Sequence, residues 1–246
     1  MTTLPLRLAS NPSCTECELH EHIKSVCVPT VRYPESLDSG NTAIVFIGQN
    51  PGWHEDQKNE PFIGKSGELV KKAYIGGCNL HEKATIFLTN IVRCHTINNE
   101  TPKNRHTLAC HHHTQKDLWA IGGMGFNKVI YVTLGAPATS GFYRHFVSGG
   151  AYEHGGWVFR KRVSPSLTES FNYNGNCKIN DNVSPGEPSW VSYIFSTYHP
   201  AAVLRNNNYI NAVSSHMQLV SDCLDGVMAS PSLPLIVPNR SPRCLS

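Results

Sequence analysis

The sequence predicts a doubly wound α/β fold, with a mostly parallel central sheet and helices on both faces. Three observations predict it. Four short runs rich in Val, Ile and Phe recur along the chain, at residues 43–49, 84–89, 128–134 and 193–197. Helix-compatible stretches separate or follow them, at 66–74, 105–121, 136–147 and 209–224. Continuous apolar strands alternating with helices are the pattern of a parallel sheet buried on both sides. Finally, each run stops on polar or flexible residues: GQNPG after the first, TN at the end of the second, TLG after the third and TYHP after the fourth.

The first run, IVFI, is apolar on both faces and ends abruptly at Gly48. Two amides, a proline, a glycine, an indole, an imidazole and two carboxylates follow within eight residues. In an open parallel sheet, ligands bind outside the carboxyl ends of the strands. Four polar stops at four such ends converge on one crevice, which favours an enzyme or ligand binder over a structural module. Between the third helix and the fourth strand, residues 163–190 are rich in Ser, Asn, Pro and Gly and lack helical periodicity, so they read as an inserted excursion or hairpin. Residues 229–246 read as an extended Pro/Ser-rich tail. The rest, 1–228, is expected to be a single domain, since the connections are too short for two.

The bulk numbers bound the class of function. A chain of 246 residues buries a sizeable core. A net charge of +3 with 13 histidines in reserve permits a polyanionic partner without demonstrating one. The first residues hold no long apolar h-region, and no apolar run approaches the ~18 residues that span a bilayer. A soluble cytoplasmic protein with no membrane partner is expected.

Nine cysteines, an odd number, argue against a disulfide framework and for metal ligation. Cys14 and Cys17 form a C-x2-C pair, and Cys94 and Cys110 follow much later. Four thiolates suit Zn(II) or an iron–sulfur cluster, and spacing alone does not choose. The other five read as isolated, buried small residues. The HHH run at 111–113 reads as the surface of a helix start, and RKR at 160–162 as a phosphate contact or a solvated strand end.

The motifs GQNPGWHEDQKNEPFIGKSGELV, LTNIVRC, TLGAPAT and TYHPAAVLR, in this order, resemble the uracil-DNA glycosylase superfamily. The cysteine spacing is similar to that of its iron–sulfur branch, family 4 and its family 5 relatives. The resemblance covers roughly residues 12–225 apart from the insert. It implies that Cys14, Cys17, Cys94 and Cys110 hold a structural 4Fe–4S cluster, with zinc the minor alternative. It implies catalytic roles for Gln49, Asn50 and His199: Asn50 would orient water, and His199 would donate to the pyrimidine O2. Base binding would fall to Gly48, to Phe62 as the stacking ring and to Asn90 as the amide reading the Watson–Crick edge. Arg205 and Asn206, in the segment that enters the duplex, and Lys65 and Ser66 would contact DNA.

The implied activity is hydrolysis of the N-glycosidic bond of a flipped pyrimidine, uracil the first expectation, by a monomer. No lysine stands as an obvious Schiff-base nucleophile, so no lyase step is expected. Family 4 carries Glu where this chain has Gln49 and a small residue where it has Asn50; the Asn is more like the mismatch-specific and single-strand-selective branches. Two alternatives follow: excision of a modified pyrimidine, such as a hydroxymethylcytosine derivative, in antiviral defence, and a non-catalytic or redox-sensing DNA-binding protein.

Overall fold

A computed structural model describes residues 6–37, 41–146, 158–163 and 190–226. Residues 164–189 of the expected excursion and the tail from 229 lie outside them. Six strands form one sheet: β1 (Val31–Arg32), β2 (Thr42–Gly48), β3 (Thr85–Asn90), β4 (Lys128–Leu134), β5 (Val158–Val163) and β6 (Trp190–Thr197). Their order is β1-β3-β2-β4-β6-β5. The four runs expected from the sequence are the inner strands, and all are parallel. The two antiparallel edges, β1 and β5, were not expected. A two-residue strand has no readable period, and β5 carries the RKR cluster that disguises it.

The apolar runs sort themselves by alternation. Ala43, Val45, Ile47, Phe87, Val129 and Tyr131 pack into one core; Ile44, Phe46, Ile86, Leu88, Ile130 and Val132 pack into the other. Fully burying each large side chain stabilises the fold by about 1.5–3 kcal/mol. The first core is covered by α4 (Asn104–Gly122), through Cys110, Leu118 and Ile121, and by α5 (Gly135–Phe146), through Phe142.

The second core takes the chain between β2 and β3, together with α6 (Pro200–Arg205) and α7 (Tyr209–Leu224). That β2–β3 connection contains α1 (Trp53–Lys58), α2 (Lys65–Leu69), a π-helical continuation over Val70–Ile75, and α3 (Leu80–Lys83). The helix expected over 66–74 is therefore α-helical only in its first part. Val70, Tyr74 and Ile75 still reach the core.

The topology places the site. From β2 the chain moves to β3 on one side, then crosses back over the other face to β4 on the opposite side of β2. The reversal opens a crevice at the carboxyl ends of β2 and β4, the switch point where such sheets bind ligands. Those ends carry Gly48-Gln49-Asn50 and Leu134-Gly135. The Val163↔Trp190 pairing also brings the two ends of the excursion side by side, so it leaves and returns at one place on the sheet edge.

Candidate active site and metal centre

Gly48, Phe62 and Asn90 meet. Gly48 and Asn90 face each other in register at the ends of β2 and β3. A Cβ on Gly48 would lie 2.4 Å from Asn90 Oδ1 and 3.0 Å from Phe62 Cζ. Glycine is therefore required here by close approach rather than by backbone angle. Asn90 and Phe62 are both buried. Phe62 adopts a left-handed φ of 59°, unusual for an aromatic. Gly67 permits it, because a Cβ there would fall 2.0 Å from Phe62 O.

Asn50 is tied to the segment after β3. Its Nδ2 donates to Pro51 O at 3.0 Å and to Thr96 Oγ1 at 3.2 Å. The carbonyl of Pro51 only accepts, and the Thr96 hydroxyl gives its proton to Glu100 O at 2.6 Å. Both facts assign the amide orientation and leave Oδ1 as the acceptor for a water. Nδ1 of His95 lies 3.0 Å from the same Pro51 carbonyl, which makes Nδ1–H the donor. Backbone bonds Ile91 N–H to Gly48 O and Val92 N–H to Gln49 O extend the β2–β3 pairing past the strand ends. Gln49 is half-buried and contributes this carbonyl.

Two residues missed by the sequence reading hold these pieces together. Glu55 Oε2 accepts Gly52 N–H at 2.7 Å, and the backbone N–H groups of Phe62, Ile63 and Gly64 also donate to its carboxylate. One side chain thus fastens the Asn50 loop to the Phe62 turn. Burial raises its pKa against these hydrogen bonds. Thr96 orients Asn50. A signal for Glu55 was present, since Glu three residues after Gly52 has capping-box spacing.

His199 sits beside the end of β4. Gly135, at φ 80°, would place a Cβ 2.7 Å from His199 Cβ, so TLG and TYHP are in contact. Nδ1 accepts the Ala201 N–H at 3.1 Å, capping α6. A backbone N–H only donates, so the neutral imidazole carries its proton on Nε2. Burial, reinforced by the Arg205 charge, depresses the pKa from 6.5 to about 4. At neutral pH this is an uncharged donor. Tyr198, just before it, stacks on Tyr209 at 4.5 Å, and its carbonyl accepts from Tyr74 Oη at 2.8 Å.

The residues expected to contact DNA lie on neighbouring helices, since α2 packs against α6. Lys65, Arg205 and Asn206 are exposed and Ser66 is half-buried. Asn206 Oδ1 accepts the Asn208 N–H at 3.1 Å, shaping the α6–α7 turn. Trp53, beside the Asn50 loop, is also exposed.

The four predicted ligands Cys14, Cys17, Cys94 and Cys110 line one cavity. Cys27 and His113 line it too, which corrects two expectations. Cys27 is not isolated, and the HHH run is not at a helix start: it lies within α4, with His113 Nε2 3.3 Å from Cys14 Sγ. Backbone N–H groups of Cys27 and Arg93 point at the sulfurs of Cys94 (3.4 Å) and Cys110 (3.3 Å). Burial pushes the Cys94 thiol up to about 12 and raises Cys110 as well.

A tetrahedral zinc with Zn–S bonds of about 2.3 Å needs sulfurs about 3.8 Å apart. Among the described residues, the only three-donor group with all ligand atoms within 4.8 Å of one another is Cys14, Glu16 and His113. Among the described residues, no three of these thiols gather within 4.8 Å of one another. Thiolates spaced around a larger core, with amide donors aimed at the sulfurs, fit an iron–sulfur cluster.

Behind the cavity, Arg93 is buried and bonded to Asp117 Oδ2 at 2.6 Å, to Val28 O at 3.2 Å and to Thr114 Oγ1 at 3.4 Å. Asp117 also accepts from Thr30 Oγ1 at 2.5 Å. Asp56 accepts the N–H groups of Lys24 and Ser25, holding the cysteine-bearing N-terminal segment against α1.

A family model described as the uracil DNA glycosylase superfamily matches residues 34–218, most of the chain and all four strand-end motifs. The chain belongs to the uracil-DNA glycosylase superfamily. Its curated relatives include the type-4 uracil-DNA glycosylase of Thermotoga maritima, 33% identical over 79% of this chain and 80% of that protein. Type-4 enzymes of Sulfurisphaera tokodaii and Saccharolobus solfataricus are 28% and 26% identical, over 80% and 86% of this chain and 73% and 82% of theirs. Membership makes this chain a DNA glycosylase, a hydrolase of N-glycosyl bonds. Among the described residues, no helix is long and apolar enough to cross a membrane.

Proposed function

We propose that the protein removes uracil from DNA by hydrolysing the N-glycosidic bond of a flipped nucleotide. The observation that carries this reading is the meeting of Gly48, Phe62 and Asn90 at the carboxyl ends of β2 and β3, beside the sheet's switch point. A flat base stacks on Phe62, and the Asn90 amide reads its Watson–Crick edge. Gly48 leaves room for both. The names of the relatives support uracil as the base.

Bond cleavage places positive charge on the sugar and negative charge on the departing pyrimidine. Oδ1 of Asn50 accepts a hydrogen bond from the attacking water and orients its oxygen toward C1′; an amide is no strong base, so orientation is its role. The neutral His199 donates Nε2–H to the developing negative oxygen, a donor that needs no rearrangement as charge builds. Water oxygen bonds C1′ as the C1′–N1 bond breaks. The pyrimidine leaves with the bonding pair and takes up a proton, and the water releases one proton to solvent and keeps the other as the C1′ hydroxyl. Lys65 and Arg205 meet phosphates, so binding weakens with salt.

We assign a 4Fe–4S cluster to Cys14, Cys17, Cys94 and Cys110, supported by the spread of the thiols and the amide donors at their sulfurs. When bound, it supplies a structural crosslink rather than a reactant, pinning the N-terminal segment to the 94–110 loop.

Abasic-site formation on oligonucleotides bearing uracil, hypoxanthine, hydroxymethylcytosine or its glucosylated form tests the function. Cleavage of the uracil strand is expected. Activity only on a modified cytosine replaces the uracil reading, and DNA binding without any cleavage removes the enzymatic one.

A further inference from the structure

The cavity offers more sulfur than a four-ligand cluster uses. Cys14, Cys17, Cys27, Cys94 and Cys110 all line it. They are not equivalent. Cys27, Cys94 and Cys110 are buried, at 2%, 4% and 5% exposure, and form the inner floor. The C-x2-C thiols are half-buried and form the outer wall. Cys27 is also held in place from two sides. Its backbone sits at a φ of 55°, in the left-handed region. Its N–H is bonded to Cys94 Sγ, so the residue is built around a neighbouring cluster ligand rather than packed by chance. Beyond it, Val28 N–H pairs with Arg93 O and Val28 O with the Arg93 guanidinium, anchoring the segment that carries Cys27 to the one that carries Cys94.

We propose that Cys27 is a reserve ligand of the cluster site, able to take the place of Cys14. Cys14 is the ligand to leave because, of the two half-buried thiols, it is the one with another side chain at its sulfur, His113 Nε2 at 3.3 Å. In the exchange, Cys27 loses its thiol proton as its sulfur bonds iron, and Cys14 departs as a thiolate that takes up a proton. No electron moves, so no oxidant or reductant is needed. The protein would keep its cluster when the Cys14 thiol is lost or modified. The chain's own geometry supplies the means: three buried thiols plus Cys17 already make a set of four.

The inference rests on the iron–sulfur reading, and the two fail differently. Wild-type protein reconstituted with iron and sulfide that holds neither, or binds zinc alone, overturns that reading. With a cluster in the wild type, iron and acid-labile sulfide are measured in Cys14→Ala, Cys27→Ala and the double variant. Both single variants are expected to keep the wild-type content, and the double variant to lose it.

Loss of the cluster in Cys14→Ala, as complete as in the double variant, overturns the proposal. So does retention in the double variant, which transfers the role to His113. Should Cys14→Ala fail to fold, Cys27→Ala decides through chelation. Its four remaining thiols still hold the cluster, but iron loss to a chelator is expected roughly tenfold faster than in the wild type. An unchanged rate overturns the proposal.

Discussion

Replacing Gly48 with alanine tests the proposal that the base binds beside Gly48, Phe62 and Asn90. The new Cβ would stand 2.4 Å from Asn90 Oδ1, and ordinary van der Waals contact begins at 3.4 Å, so the amide must move by about 1 Å. The Phe62 ring, at 3.0 Å, has to give by a few tenths of an ångström in the same step. Neither has much freedom: Asn90 is buried at a strand end, and the Phe62 backbone is trapped against Gly67. A displacement of about 1 Å at a reacting geometry lowers the rate by about 10²-fold. Overpacking costs about 1–3 kcal/mol of stability, so thermal unfolding must be followed alongside. The assay is single-turnover abasic-site formation on the cleaved oligonucleotide, below the variant's melting range. Gly77→Ala, where a Cβ meets nothing within 4 Å, is the control. If Gly48→Ala excises at the rate of Gly77→Ala, the base does not bind between Gly48, Phe62 and Asn90.

The remaining predictions concern the groups around that pocket. The folded state keeps His199 neutral down to about pH 4, while the unfolded chain protonates it near 6.5. Its contribution to stability is therefore full above 6.5 and lost as pH falls to 4, by up to about 3 kcal/mol, visible in pH-dependent melting. For the same reason the excision rate should hold through pH 6.5 and fall only near 4, and an acid limb at 6.5 would contradict a neutral His199. Asn50→Ala should abolish most turnover with DNA binding intact. Thr96→Val, which removes the hydroxyl orienting Asn50, should slow it by about tenfold without changing binding; equal effects on binding and rate would count against both roles. Asp117→Ala strands the buried Arg93 charge and should destabilise by about 3–5 kcal/mol, whereas Arg93→Met with Asp117→Leu should cost less than the single change.

How much of this was legible in the sequence follows from how local each signal is. The inner strands were readable because burial on both faces forces unbroken apolar runs, as in residues 44–47. The edges β1 and β5 were not, because β1 is only two residues long and the Arg-Lys-Arg run of β5 breaks the apolar pattern. Gly48, Phe62, Asn90 and His199 were read through motif order; the first three lie against one another, and His199 lies against Gly135 at the end of β4. Cys27 was missed because cysteine spacing identifies pairs and says nothing about a lone residue brought in by chain reversal. His113 was missed for a similar reason: in a run of three histidines, only the helix rotation decides which one faces Cys14. Thr96 follows Cys94 by two residues, and nothing local reveals that its hydroxyl orients an amide 46 positions earlier.

The buried polar groups explain why the catalytic edge and the cysteine cavity belong to one rigid unit. The segment from Asn90 to Thr96 carries, in succession, the proposed base reader Asn90, then Arg93, the proposed ligand Cys94, and Thr96, which orients Asn50. Arg93 binds this segment to α4 through Asp117 and Thr114, and to the Cys27 segment through Val28 O. Thr114 in turn donates to Asn90 O at 3.4 Å. Glu55 performs the matching task on the other side, joining the Asn50 loop to the Phe62 turn. A network of this kind resists distortion because each broken bond leaves a buried group without a partner. Loss of the metal centre should therefore loosen Thr96 and Asn90 along with Cys94. Removing iron should lower the excision rate in step with a loss of amide exchange protection across residues 90–96. If the rate falls while protection there is unchanged, the cysteine cavity does not support the active site through this segment.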